Sequence, residues 1–247
     1  MKNRKLLVIW CLVLTLVGCQ VTETLTLNED GSGRISISMD MSEMMAFGGD
    51  LGDSLKPEKM DSIMSMKDIL EEKKDSISKL PKKDQERLKK LENYSFRTFM
   101  DTETKEMFFD LYTDFKDIKE ANDLMNAFES SGDFIPSMGP GTDVNSDPAS
   151  GGIMAVNFSY KNGKFVRDAF IVDEEKHKMQ MDSIKTAEGF MSSMKYKIKY
   201  TFPRRIKSIS VEDARFSLDG KTVEFEKPFL DYFKDPDVLD FEVELED

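Results

Sequence analysis

Few residues in this chain could do covalent chemistry, and their spacing decides which of them matter. Cys19 closes the segment Leu16-Val17-Gly18-Cys19. A thiolate is the strongest side-chain nucleophile toward alkylating groups, and the small Gly18 before it leaves a peptidase room to approach. Ser54, in Gly52-Asp53-Ser54-Leu55, is a second nucleophile by type, but the one histidine, His177, stands far along in a charged stretch. A serine without a positioned base is weak. Asp143, Asn145 and Asp147 are spaced as in a calcium loop. Pro148 then occupies the position that needs glycine, and Met154 the one that needs a bidentate acid, which leaves only a looser cation site there. No Gly-rich phosphate loop or metal-ligand cluster is present, and in so acidic a chain paired carboxylates carry no specificity. The residues therefore point to no catalytic group, no metal and no cofactor.

The context of Cys19 makes its chemistry specific. Lys2, Arg4 and Lys5 precede an apolar run from Leu6 to Val17 broken only by Thr15. As a helix that run reaches about 18 Å, short of the roughly 30 Å hydrocarbon core, so it reads as a secretory signal rather than a spanning helix. Leu-Val-Gly-Cys resembles the lipobox of bacterial lipoproteins. That resemblance implies a diacylglyceryl group on the Cys19 thiol, cleavage between Gly18 and Cys19, and acylation of the new amino terminus. The implied partners are the lipoprotein-processing enzymes and a membrane gripped through acyl chains, at about 0.8 kcal/mol per buried CH₂. Gln20 replaces the aspartate that in some Gram-negative bacteria retains lipoproteins in the inner membrane, so the periplasmic face of the outer membrane is the expected address.

Two further resemblances bear on single serines. Gly52 to Leu55 spells the motif of GDSL hydrolases, where the serine follows a buried strand and is served by a late Asp-x-x-His. Here nothing like a buried strand precedes Gly52, and Glu174 stands three residues before His177. A hydrolase built on Ser54 is the lesser alternative, and His177 reads as a solvated helix residue. Asp-Ser-apolar triplets at Ser62, Ser76 and Ser183 resemble sites of bacterial O-glycosylation. The residues alone read as helix starts, since Asp and Ser cap helices.

Composition narrows the rest. The formal charge is −12, and loss of the signal makes it three units more negative. Such a surface repels phosphate backbones, which excludes nucleic acid, and it repels anionic headgroups, so attachment rests on the acyl chains. Cys11 leaves with the signal, so the mature chain has no disulfide and depends on packing. Seventeen methionines read as adaptable core filler.

The elements follow from period. A short tether, Gln20 to Thr22, precedes a hairpin in which Leu25, Leu27, Ile35, Ile37 and Met39 alternate with polar residues around Gly31. From about 55 to 92 the chain turns charged and roughly helical, split by Pro81, and reads as a helical insertion. Strands resume at Tyr94 and return through Phe109 to Phe115; a helix is expected from Asp117 to Phe128 and a long loop over about 130–152. Val156 to Tyr160, Asn162-Gly163 and Phe165 to Val172 form a hairpin, Asp173 to Met194 a helix. The remainder alternates as strands to Leu245, with a short apolar turn or helix at Pro228 to Phe233.

Phe202-Pro203, Ile206-Lys207-Ser208, Ala214, Asp219-Gly220-Lys221-Thr222-Val223 and an aromatic at Phe225 resemble the C-terminal part of LppM-like bacterial lipoproteins. Arg204 stands where a glycine is common and Phe225 where a tryptophan is common. The resemblance implies an exported, lipid-anchored α+β domain and brings no catalytic motif. The expectation is one α+β domain over residues 19–247, an antiparallel sheet of several hairpins packed against two or three helices. It would be a non-enzymatic binding or scaffolding module, taking an apolar ligand between sheet and helices. A subunit docking to an envelope complex through the 59–92 helices is the other alternative.

Overall fold

In a computed structural model, residues 20–47, 59–122, 153–185 and 188–247 are described. Two sheets carry the fold. The larger has eight strands: β1 (Gln20–Leu27), β2 (Gly33–Asp40), β3 (Lys59–Ser65), β4 (Ser95–Asp101), β5 (Glu106–Phe115), β8 (Lys195–Thr201), β10 (Arg215–Phe216) and β11 (Thr222–Pro228). The smaller has four: β6 (Met154–Lys161), β7 (Lys164–Ile171), β9 (Ile206–Ile209) and β12 (Phe241–Leu245). Their orders are β10-β11-β8-β1-β2-β5-β4-β3 and β6-β7-β12-β9. Among the described residues all pairings are antiparallel except one: β1 runs parallel to β8, with Gln20 opposite Lys195 and Thr26 opposite Thr201.

The expectation of one antiparallel sheet against two or three helices is corrected. The fold is mostly β, the large sheet is mixed, and what covers its apolar face is a second sheet. Alternation fixes which side chains share a face but not which strand pairs with which. Phe165 and Phe241 of the small sheet meet Tyr200 and Phe225 of the large one and Phe202 just past β8, with ring centroids 5.2–5.6 Å apart. Edge-to-face rings of this kind fill the space between sheets.

Local chemistry explains most elements. The Asn162-Gly163 turn has both residues at positive φ, 54° and 71°, as a tight hairpin requires. Gly33 opens β2 for a different reason: a Cβ there would stand 2.1 Å from the Thr26 carbonyl oxygen and 2.6 Å from the Phe115 ring. Residues 59–65, expected to be helical, are strand β3, paired with β4 along its whole length. Helices 66–72, 74–77 and 82–90 follow it. The expected 173–194 helix ends at Ile184, with a short helix at 188–191. Beyond Asn122, the 117–128 helix and the 130–152 loop lie outside the described residues.

The predicted tether is absent. Gln20 is already in β1, hydrogen-bonded into the sheet between Asp40 and Lys195. Two ends of the sandwich are thereby defined. At the proximal end β1 and β8 begin, and β2, β7 and β11 finish. At the distal end lie the turns at 28–32, 162–163 and 219–220.

Candidate functional site

Helix 174–184 forms because Asp173 caps it, accepting a hydrogen bond from the Lys176 amide at 3.0 Å; that bond holds the Asp173 carboxyl below its ordinary value. Glu174 and Glu175 then suit the positive helix start. The helix leaves β7 at the proximal end and meets helix 229–234, which leaves β11 at the same end. The Phe229 amide donates to the Met194 carbonyl at 3.0 Å and ties that helix to the start of β8. A ring nitrogen of His177 lies 2.7 Å from the Phe233 carbonyl oxygen. That nitrogen must carry the proton, since a carbonyl only accepts. His177 is thus half-buried and joins the two helices, not solvated as its charged neighbours suggested.

Between these helices runs a groove of about 260 Å³, lined by Met181, Ile184, Lys185, Glu188, Leu230 and Lys234. Its floor is thioether and branched aliphatic carbon, and its rim carries ion pairs of Lys234 with Glu188 and Lys185 with Asp182. On the same helix, Met179 is 72% exposed. The chemistry available is apolar binding with lysines near the mouth, whose stems lie along apolar surface while their heads stay in water.

A second cluster lies wholly inside. Glu23 on β1 and Arg167 on β7 form a salt bridge at 3.0 Å, both side chains fully buried. The Tyr196 hydroxyl donates to Glu23 at 2.6 Å, the Tyr200 hydroxyl donates to its other oxygen, and Arg167 Nη1 donates to the Leu239 carbonyl at 3.2 Å. Burial, then the Glu23 charge, push both tyrosines well above their ordinary pKa, so they remain donors. Burial opposes the Arg167 charge, but the Glu23 carboxylate and the hydroxyls of Tyr200, Tyr232 and Tyr196 together outweigh it and raise Arg167 well above its ordinary value. The cluster joins the two sheets and is closed to solvent, so it is a structural lock and not a reaction centre.

At the distal end a polar cleft of about 370 Å³ lies among Asp30, Lys116, Asp117, Tyr160, Asn162 and Arg204. Arg204 donates to the Glu246 carbonyl at 2.7 Å and stands 3.2 Å from Glu29 as a charge contact. Its lining carries charges of both signs, with Asp30 taken up by Ser32 and Asp117 by the Lys119 amide, and so it favours no one ligand charge.

The sequence-predicted residues scatter. Gly18, Cys19, Ser54, Asp143, Asn145 and Asp147 lie outside the described residues. Ser62 is half-buried on β3, where Asp61 is bound by Arg97 at 2.9 Å, so that triplet starts no helix. Ser76 is exposed in helix 74–77, and Ser183 falls near the end of helix 174–184, where a cap is of no use. Among the described residues no group of three or more His, Cys, Asp or Glu side chains is arranged to hold a metal, and no helix is long and apolar enough to cross a membrane. Sequence reading missed Glu23 and Arg167, although a signal existed: both occupy the inward phase of their strands, Glu23 between Val21 and Leu25, Arg167 between Phe165 and Ala169.

No family model and no curated protein matches the chain. Among solved structures it is similar to the folded domain of LppM from Mycobacterium tuberculosis, determined by NMR, over 92% of this chain and 88% of that one, at 8% identity and a TM-score of 0.39. The likeness to an LppM lipoprotein domain is therefore one of loose overall shape, and no site residue is carried over from it.

Proposed function

We propose that this protein is a lipid-anchored, non-enzymatic binding module of the cell envelope, held through acyl chains on Cys19 at the periplasmic face of the outer membrane. Its ligand is apolar. The observation that carries the reading is the groove of Met181, Ile184 and Leu230 between two helices tied together by His177. The site lies between helices and not between sheet and helices, because the small sheet already fills the inner face of the large one. Cys19→Ser should release the protein from membrane fractions. Native mass spectrometry of that soluble form should then show an apolar adduct, lost in Met181→Glu with the melting temperature unchanged. Retention in membranes despite Cys19→Ser would refute the anchor. An unliganded mass, or an adduct indifferent to Met181→Glu, would refute the ligand.

A second reading, docking to an envelope complex through residues 59–92, has one observation in its favour, and the contact would be a strand rather than a helix. β3 ends the eight-stranded order among the described residues, and it exposes Ile63 at 64% and Met64 at 48%. An apolar edge strand invites a partner strand. Ile63→Lys should then abolish co-purification of the partner without changing the thermal transition; co-purification that survives it would dismiss this reading.

A further inference from the structure

We infer that the proximal end of the sandwich is a membrane-contacting face, with Met179 seated against a zwitterionic bilayer; this rests on the acylation of Cys19 proposed above. The carrying fact is the missing tether. Cys19 is joined by one peptide bond to Gln20, a Cα–Cα step of about 3.8 Å. Gln20 is the first residue of an interior strand, paired on both sides, to Asp40 of β2 and Lys195 of β8. β1 cannot peel away to create slack without breaking two ladders. Chains on Cys19 therefore hold the sheet end itself within a headgroup's depth of the hydrocarbon, and the body has little freedom to swing.

What that end presents suits the position. Lys195 starts β8 beside Gln20, and Pro228 ends β11 beside Lys195. Phe229 is bonded to Met194, and helix 229–234 with helix 174–184 completes the end. The most exposed apolar side chain on these helices is Met179, which the helical period turns away from the groove residues Met181 and Ile184 and toward solvent. Lys185, Lys195 and Lys234 are paired with Asp182, Glu226 and Glu188, so this face has no surplus positive charge. With Glu174, Glu175 and Asp231 on the same helices the face leans acidic, and it fits zwitterionic headgroups better than anionic ones. The distal end carries another strongly exposed apolar residue, Leu218, fully exposed beside the Asp219-Gly220 turn.

These two residues make the test. The chain's one tryptophan, Trp10, lies in the segment removed before Cys19, so the mature protein is dark in tryptophan fluorescence. Met179→Trp and Leu218→Trp, each produced with its own signal so that it is acylated, are reconstituted in phosphatidylcholine vesicles whose acyl chains carry bromine. The indole of the Met179→Trp variant should be quenched at least about twofold more than that of Leu218→Trp, since a side chain at the boundary sits within reach of the chains and one at the far end does not. Equal quenching, or none, in protein that is acylated and vesicle-bound would overturn the inference while leaving the anchor standing. Protein that carries no acyl mass and floats free of vesicles would overturn both.

Discussion

Arg167 shows how a single residue can join two sheets. Its partner Glu23 sits across the interior on β1, and neither touches solvent. Removing one member of such a pair strands a buried charge, so Arg167→Leu should cost about 3–5 kcal/mol in urea denaturation, whereas Arg167→Leu with Glu23→Leu should recover most of it. Equal losses in the single and double variants would show that the charges do not act as a pair. Asp240 behaves differently. Partial burial, with Asp237 and Asp168 nearby, raises its pKa from 3.8 to about 6, although the Ala169 amide donates to it at 2.7 Å and Arg167 acts the other way. The folded state thus binds more protons than the unfolded one between these values, and stability falls as pH rises through that window. Solvent screening keeps the effect small. Asp240→Asn keeps the acceptor and removes the charge, so its stability should be flatter from pH 4 to 7 than wild type; an unchanged slope would mean that other groups set it. Both buried ionic residues were legible as polar letters on the inward phase of a strand. Their mutual contact was not, because 144 positions separate them and only the docking of two sheets brings them together.

Elements divide into those that local chemistry dictates and those that pairing dictates. The Asn162-Gly163 hairpin, the β1–β2 hairpin and the alternation of β12 were readable because turn angles and period two are local properties. β3 was not. Met60, Ile63, Met64, Met66, Ile69 and Leu70 recur at near-helical spacing, yet the first three belong to a strand held by β4. Deleting residues 59–92 would therefore remove a sheet strand and not a separable arm. Gly33 makes the same point at one position. Its place after Ser32 reads as turn chemistry, but its role is to admit the Thr26 carbonyl and the Phe115 ring against the backbone. Gly33→Ala forces that contact apart and should destabilise the protein by about 1–3 kcal/mol, although alanine ordinarily favours order over glycine. A stabilised Gly33→Ala in chemical denaturation would show that β2 can shift without loss.

Over the whole molecule, two sheets of unlike size share one interior, and that shared interior sets how the chain unfolds. β12 is the last strand, yet it lies between β7 and β9, so the small sheet is incomplete until the C-terminus is placed. β8 and β1 pair in parallel across 175 positions of sequence, with Gln20 against Lys195. Such closures cannot be read from periodicity, and this is why a sheet backed by helices was the natural expectation. The side chains shared between the sheets, and not these pairings, should make the two unfold together. Phe241 makes the strongest case: it touches Phe165 of its own sheet and Tyr200 and Phe225 of the other. Phe241→Ala should cost about 3–5 kcal/mol through a cavity shared by both sheets. The buried Tyr196, Tyr200 and Tyr232 report the interior by near-ultraviolet circular dichroism, and far-ultraviolet circular dichroism reports the strands. In wild type and variant alike the two signals should melt at one temperature, lower in the variant. A near-ultraviolet transition that preceded the strands in Phe241→Ala would mean that the large sheet stands without the small one.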